Sequence, residues 1–277
     1  MRHADHPARP TIGIVGGRGG IGSLFARLFG ADGLDVLISD RDTALRNTDL
    51  AARCDLLAVA VPLRVMPDVL REVAPHLAPD AAIVSLGSLM EPAAEALRPC
   101  TRQAFLLHPL FGPGRKSLRG ATLVCASLRG GAVQDWLLAW LRGQGAHVVT
   151  STPEEHDRTM AVAQALLHGN YAALAPQIMR RLPAEDPLAW TSPTLRLQLG
   201  LMARILRQDA RLYGDLLALN RHAAAAFDEL IERLTALRQA MAAGPDAVEE
   251  LFSTAGADLG PLGADLAAEG DRALGEG

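Results

Sequence analysis

The sequence predicts an α/β fold, in which a doubly wound parallel sheet is followed by an all-helical domain. Short apolar runs alternate with helical stretches over the first half of the chain, and a glycine-rich turn follows the first run. After Thr150 no convincing strand is found. Apolar strands separated by helices are typical of a sheet covered on both faces. We expect a disordered segment at 1–10, a sheet-based domain at 11–150, a helical domain at 151–253 and a loosely ordered tail at 254–277.

Seven apolar runs are strand candidates, and the segments between and after them have helical spacing. The strand candidates are Thr11–Val15, Asp35–Ser39, Leu56–Val61, Ala82–Ser85, Ala104–Leu107, Ala121–Cys125 and His147–Thr150. The helix candidates are Leu63–Leu77, Ala132–Gly143, Glu154–Arg181, Pro193–Leu206, Asp209–Ala242 and Pro245–Ser253. Few charges interrupt the apolar faces of the last four, so we expect these helices to pack on each other or on a second subunit.

The first strand runs directly into a turn with the spacing Gly17-x-Gly19-x-x-Gly22. We expect Gly17 to make the tight bend, Gly19 to clear space for a pyrophosphate and Gly22 to let helix and strand pack closely. Asp40 ends the second strand about 20 residues further on, where an acid can accept hydrogen bonds from an adenosine ribose. The other candidate cofactor-binding residues are Arg18, Gly20 and Ile21 in the turn and Pro62 at the carboxyl edge of the sheet. The pattern favours NAD as cofactor; an ordinary strand–turn–helix connection is the alternative.

Composition excludes several other classes of protein. The 277 residues include 27 basic and 31 acidic ones, a net charge of −4, which is not the pattern of a nucleic-acid-binding protein. No apolar run is long enough to span a membrane, and residues 1–10 lack the apolar segment of a signal peptide. Cys54, Cys100 and Cys125 are widely spaced and odd in number, so we expect buried thiols in a cytoplasmic protein.

Two residues of the first domain are candidates for catalysis. His108 follows the run Ala104–Leu107 and precedes Pro109. A histidine at a strand's carboxyl end can face a nicotinamide, and its near-neutral pKa suits it to accept a proton as hydride leaves. Ser88 follows another strand and could hydrogen-bond that imidazole. A histidine that only caps a turn, and a serine that only caps a helix, are the alternatives.

The helical domain offers three candidate substrate-binding residues, Gln164, His168 and Arg196, and a third candidate catalytic residue, Arg204. Gln164 and His168 are four residues apart and share a helix face. Arg196 and Arg204 are eight apart and also lie on one side of a helix. An arginine on an apolar helix pairs with an anion, which is either a structural acid or a substrate carboxylate. A histidine there is also compatible with a purely structural role. No His, Asp or Glu group has the spacing of metal ligands.

Several of these motifs, in this order, resemble the prephenate dehydrogenase family. The resemblance covers about residues 11–250. Within the family, the sequence most resembles the dehydrogenase half of the bifunctional enterobacterial chorismate mutase–prephenate dehydrogenase. The matching segments are Val15–Gly22, His108–Pro113, Glu155–Asp157, Gln164–His168 and Ser192–Leu197, followed by Arg204 and Gln208–Asp209. The family implies a Rossmann-type domain, a helical dimerisation domain and a homodimer.

The resemblance also implies roles for individual residues. His108 would accept the proton of the ring hydroxyl, Ser88 would support that histidine, Arg204 would bind the side-chain carboxylate and His168 would line the substrate pocket. The implied reaction is the NAD-dependent oxidative decarboxylation of prephenate to 4-hydroxyphenylpyruvate, on the route to tyrosine.

Two departures from the family pattern leave the substrate open. The family usually has an acid and a lysine where this chain has Ser85 and Met90. 4-Amino-4-deoxyprephenate and arogenate are therefore alternative substrates. With no mutase segment before Thr11 and a short tail, a lone dehydrogenase module is expected. Other classes also remain: a β-hydroxyacid-type or imine-reducing dehydrogenase would share the glycine spacing, and a nucleotide-sensing regulator would bind cofactor without turnover.

Overall fold

A computed structural model describes residues 9–275. The predicted disorder over the first ten residues falls almost entirely on residues 1–8, which lie outside the described part. The chain divides into two compact units. The first runs up to Met160 and also includes Ala218–Asn220, and the second consists of Ala161–Leu217 together with the chain from Arg221 onward.

A seven-stranded sheet forms the centre of the first unit. The strands are β1 (Ile12–Val15), β2 (Val36–Ser39), β3 (Leu56–Val59), β4 (Ala82–Ser85), β5 (Gln103–Pro109), β6 (Thr122–Arg129) and β7 (His147–Thr150). Their order is β2-β1-β3-β4-β5-β6-β7, and every pair is parallel except β5–β6. All seven predicted strands are therefore present, in a sheet that is parallel except at one pair.

Helices cover both faces of this sheet, which confirms the doubly wound α/β fold. Along β3, Leu56 and Ala58 belong to one apolar core while Leu57 and Val59 belong to the other. This alternation follows from the two-residue period of a strand. The helices of the unit are α1 (Gly20–Ala31), α2 (Asn47–Ala51), α3 (Met66–Val73), α4 (Glu91–Leu97), α5 (Ala132–Gly143) and α6 (Pro153–Met160).

The second unit is helical, as predicted. It contains a π-helical segment (Ala161–Leu166), α7 (Leu167–Met179), α8 (Pro193–Leu206), α9 (Ala210–Ala218), α10 (Ala223–Ala243), α11 (Pro245–Asp258) and α12 (Gly263–Leu274). The last residue of α9, Ala218, already belongs to the first unit, together with the two residues that follow it. Among the described residues, no helix combines the length and apolar character needed to cross a membrane.

Two helix predictions need correction. The single helix expected over Asp209–Ala242 is two helices, because the chain leaves the helical path at Leu219–His222, where Asn220 is buried and hydrogen-bonded to the first unit. The tail expected to be loosely ordered also carries helix, in the end of α11 and in α12. Tertiary packing contributes to this order, since α12 packs against α8.

Candidate active site

The turn between β1 and α1 brings backbone close to backbone because three of its four residues, Gly16, Gly17 and Gly19, lack a side chain. Gly16 makes the tight bend, with φ at +76°. Gly17, which the sequence predicts to make this bend, instead packs on β2, where a Cβ would lie 2.4 Å from the Ile38 side chain. A Cβ on Gly22 would lie 2.2 Å from the Gly16 carbonyl oxygen, so helix and turn touch backbone to backbone. Gly19 precedes the first turn of α1, whose amides have no partner within the helix.

The carboxylate of Asp40 is directed back towards this turn. Its Oδ2 accepts a hydrogen bond from the Arg18 amide at 3.0 Å, and its Oδ1 accepts one from the Arg41 amide at 2.9 Å. The guanidinium of Arg18 forms an exposed ion pair with Asp42. Helix amides beside a glycine turn and an acid at the end of β2 are the features that hold a dinucleotide in this type of fold. The Gly16–Gly22 turn together with Asp40 forms a site that we call the nucleotide cradle. This cradle therefore fits such a cofactor.

The other predicted cofactor-binding residues lie around the same edge of the sheet. Gly20 and Ile21 begin α1, and Pro62 lies in the loop that follows β3. The predicted strand Leu56–Val61 ends two residues early, at Val59. The loop after β5 also reaches the cradle, since a Cβ on Gly20 would lie 3.0 Å from the Pro113 ring.

His108 lies inside β5 rather than beyond its end. Antiparallel pairing with β6 extends the strand to Pro109 and sets His108 opposite Val124. The His108 ring is buried, with 2% of the residue exposed. Its Nδ1 is hydrogen-bonded to Nε2 of His156 at 2.8 Å, and the two rings meet edge to face.

Asp157 holds the far side of this histidine pair. Its Oδ1 is 2.7 Å from Nδ1 of His156. The same carboxylate accepts hydrogen bonds from the amides of Met90 and Glu91, both at 2.8 Å, where α4 begins. The side-chain amide of Asn220 donates to the Asp157 backbone carbonyl at 2.8 Å. The four residues linked by these hydrogen bonds are all buried: His108, His156, Asp157 and Asn220.

Burial keeps His108 uncharged. Loss of solvent, and secondly the neighbouring His156, lower the pKa of His108 to about 3. The sequence predicts a near-neutral pKa for His108, which is the value of a histidine in contact with water. Burial leaves the imidazole neutral, with a lone pair that can accept a proton, and the lowered pKa also makes it a weaker base than an exposed histidine.

Ser88 lies in the loop between β4 and α4 and is partly exposed. Among the described residues, it is His156 rather than Ser88 that binds Nδ1 of His108. A role for Ser88 in supporting the imidazole stays a prediction.

Two predicted residues, His168 and Arg204, lie near a newly found one, Tyr213, within the helical unit. The ring of His168, on α7, meets Tyr213 of α9 edge to face at 5.0 Å. Burial lowers the pKa of His168 and raises that of Tyr213, and the charge of Arg204 acts on Tyr213 in the opposite direction. His168 Nδ1 is buried without a hydrogen-bond partner in the part of the chain that the structure describes. Such a buried polar atom calls for an unseen partner, and a ligand is one candidate.

Gln164 and Arg196 differ in what surrounds them. Gln164 lies in the π-helical segment four residues before His168. Segments of this kind are rare and often occur at functional sites. Arg196 uses its guanidinium locally, donating to the Leu188 carbonyl at 2.9 Å and to Thr191 Oγ1 at 3.3 Å. Arg204 remains the better candidate for binding an external carboxylate.

Sequence reasoning missed two features of these sites. The sequence places His156 on a helix with Gln164 and His168 and includes both His156 and Asp157 in a family match, but it assigns neither a role. Both occupy buried positions of α6 together with Met160. Polar residues at positions where an amphipathic helix needs apolar ones were the available signal. Tyr213 carried no sequence signal, because its contact with His168 joins two helices distant in sequence.

Two family models match the chain in this order. The model described as "Prephenate dehydrogenase, nucleotide-binding domain" matches residues 35–124, and "Prephenate dehydrogenase, dimerization domain" matches residues 152–255. The chain belongs to the prephenate dehydrogenase family. This confirms the resemblance found in the sequence.

Individual relatives of the family differ in how much of them the chain covers. The T-protein of Haemophilus influenzae is 32% identical over 74% of this chain and 55% of its own length. The 4-amino-4-deoxyprephenate dehydrogenase of Streptomyces pristinaespiralis is 27% identical over 91% of this chain and 92% of its own length. The chain thus spans about half the length of the first curated relatives that it matches.

A solved member of the family has the same fold. The prephenate dehydrogenase of Aquifex aeolicus, in complex with hydroxyphenyl propionate and NAD+, superimposes with a TM-score of 0.70. The match covers 90% of this chain and 97% of that one at 17% identity.

Proposed function

We propose that this chain catalyses the NAD-dependent oxidative decarboxylation of prephenate to 4-hydroxyphenylpyruvate. The observation that carries the proposal is the buried, neutral His108, bound through Nδ1, in a unit that also contains a dinucleotide cradle. Membership of the prephenate dehydrogenase family supplies the reaction class.

The cofactor would lie over the Gly16–Gly22 turn, with Asp40 accepting hydrogen bonds from the adenosine ribose. Bound NAD supplies the hydride acceptor. A carboxylate at this position repels a 2′-phosphate, which favours NAD over NADP. Arg41 is adjacent and acts in the opposite direction, so cofactor preference is a measurable outcome of the proposal.

The protein's part in the reaction is to position the substrate and to hold a proton. The C4–H bond breaks with its electrons leaving as hydride, while His108 accepts the proton of the C4 hydroxyl. The bond between the ring and its carboxylate then breaks, CO2 leaves and the ring becomes aromatic, so that the phenolate oxygen can take back the proton. Arg204 would bind the pyruvyl carboxylate, with Gln164 and His168 lining the substrate site and Ser88 supporting the base.

We also propose that the functional form is a homodimer made through the helical unit. The family model for this part of the chain is described as a dimerization domain. Several large apolar side chains of the helical unit are exposed in the single chain, among them Trp190 at 71%, Phe252 at 70% and Met241 at 67%. Exposed apolar surface of this kind favours burial against another subunit.

A second candidate substrate is 4-amino-4-deoxyprephenate. It is favoured by the match over nearly the whole length of the Streptomyces pristinaespiralis enzyme that is named for it. The reaction would be the same, except that His108 would accept the proton of a C4 amino group instead of a C4 hydroxyl. Arogenate, in which an amine replaces the side-chain ketone, is the third compound to compare.

A side-by-side assay tests these alternatives. Purified protein is incubated with NAD+ and, separately, prephenate, arogenate and 4-amino-4-deoxyprephenate, and NADH is followed at 340 nm. The proposal expects the highest kcat/KM with prephenate and a lower value when NADP+ replaces NAD+. A higher value with either amine would reassign the substrate. No turnover of the three compounds, with NAD binding intact, would favour a nucleotide-sensing regulator, and turnover of short hydroxyacids would favour another dehydrogenase class.

A further inference from the structure

The hydrogen bonds behind His108 define which of its two nitrogens can act as a base. We propose that Asp157 and His156 are positioning residues that hold the neutral His108 ring with its proton on Nδ1, so that Nε2 is the basic atom. This inference rests on the proposed function for its kinetic consequence. The arrangement of protons itself can be measured without any substrate.

Asp157 can act only as an acceptor in this set of hydrogen bonds, because of the donors that surround its carboxylate. Both carboxylate oxygens accept backbone amide protons, from Met90 and Glu91, at 2.8 Å. Two amide donors favour an ionised carboxylate, which can only accept hydrogen bonds. Nδ1 of His156, 2.7 Å from Oδ1, must therefore be the donor.

The remaining protons follow from this first assignment. When His156 is neutral and carries its proton on Nδ1, its Nε2 is unprotonated and is an acceptor. A charged His156 would instead donate from Nε2 and reverse the assignment at His108, an outcome that the NMR test below also detects. Nδ1 of His108 is 2.8 Å from that atom, so Nδ1 of His108 carries the proton. Its Nε2 is then unprotonated and carries the lone pair that a general base requires. The opposite arrangement would place a lone pair of His156 against a carboxylate oxygen.

Asp157→Asn is the substitution that disturbs this arrangement with the least change of shape. If the amide oxygen of the new side chain faces His156, its NH2 group faces the Glu91 amide, donor against donor. If the side chain flips, the NH2 group faces the Met90 amide, again donor against donor, and it can donate to Nδ1 of His156 only if the protons of both histidines reverse. His108 then carries its proton on Nε2, which has no lone pair left to accept a proton from the substrate.

The first test reads the tautomer directly by NMR. Protein labelled with ¹⁵N-histidine is examined near pH 7.5 by multiple-bond ¹H–¹⁵N correlation, and the eight histidines are assigned with the help of His108→Asn and His156→Asn. We expect His108 and His156 both to show a protonated Nδ1 and an unprotonated Nε2. His108 with its proton on Nε2 in the unsubstituted protein would overturn the proposal, whether or not any variant folds.

The second test compares kinetics with a matched control. Asp157→Asn should lower kcat about 10²-fold or more, as expected when an orienting carboxylate is lost, while the substrate KM and the NAD dissociation constant change by no more than about threefold. Asp32→Asn is the control, since Asp32 is another carboxylate of the first unit that accepts two side-chain hydrogen bonds, from Trp140 and Gln144. It should leave kcat unchanged.

The outcomes separate this inference from the proposed function. An inactive unsubstituted enzyme contradicts the proposed function, while the NMR result still decides the tautomer. An active enzyme that depends on His108 but keeps its kcat in a folded Asp157→Asn variant contradicts the inference alone. An Asp157→Asn variant with a lower kcat, a higher KM and a lower melting temperature indicates a structural role for Asp157. This outcome also counts against the inference.

Discussion

At the scale of single residues, the environment of His108 matters more than its identity. The ring is removed from water, paired with another histidine and held neutral. A base prepared in this way does not have to lose a proton before it can act. The cost is that a charged imidazolium is poorly tolerated at the same place.

His108→Asn tests the role of base. Asparagine retains a hydrogen-bonding side chain but cannot take up the proton, so we expect kcat to fall by about 10²- to 10⁴-fold while NAD affinity is retained. Steady-state rates at 340 nm and a titration with NAD measure the two quantities. Near-normal turnover in this variant would remove His108 from the mechanism and leave His168 or a bound water as the base.

The pH dependence follows from the direction of the pKa shift. The pKa of His108 is lowered to about 3 by burial and by His156, so the neutral, proton-accepting form is populated above that value. Since kcat/KM reports the free enzyme, we expect no loss of kcat/KM from this group between about pH 5 and 8. An acid limb near pH 6.5 that disappears in His108→Asn would show that the ring titrates as if it were exposed to water.

Arg204→Ala tests the binding of the substrate carboxylate. Loss of a charge-assisted pair costs about 2–5 kcal/mol, so KM should rise about 10²-fold or more with a smaller effect on kcat. Arg207→Ala provides the control, because Arg207 is an exposed arginine at the end of the same helix. If Arg204→Ala folds and its KM is unchanged, Arg196 becomes the next candidate.

At the scale of elements, the β1–α1 turn depends on the absence of one side chain in particular. A Cβ on Gly22 would lie 2.2 Å from a backbone oxygen, which cannot move without displacing the turn. Gly22→Ala should therefore lower thermal stability and abolish NAD binding. Gly30→Ala, in the same helix and with nothing within 4 Å of its Cβ, should raise stability by about 1 kcal/mol and leave binding intact. Melting temperatures and NAD titrations compare the two; equal behaviour would contradict the close contact at Gly22.

The strands could be predicted from the sequence because a buried parallel strand is visible there as a short apolar run between turns. Predictions from the sequence were weaker where the bounds of one element depend on contacts with another. The extension of β5 to Pro109 requires β6 as a partner. The break before α10 is set by Asn220, whose partner is Asp157. The bend at Gly16 rather than Gly17 was also hidden, since either glycine could adopt a positive φ.

At the scale of the whole molecule, we expect two copies of the chain to associate. We expect light scattering or sedimentation at micromolar concentration to give about twice the 29.3 kDa mass of the chain. The physical reason is the exposed apolar surface of the helical unit. A monomer at that concentration would contradict the proposed dimer and leave that surface without a role.

The return of Ala218–Asn220 to the first unit has a consequence for biosynthesis. A nascent chain that has emerged as far as Met160 already contains the nucleotide cradle, His108, His156 and Asp157. The Asn220 side chain that binds the Asp157 carbonyl emerges only after the ribosome has made Ala161–Leu217. Translation therefore delivers the cradle early and the finished surroundings of the base late, so the first unit matures only after much of the second has been synthesised.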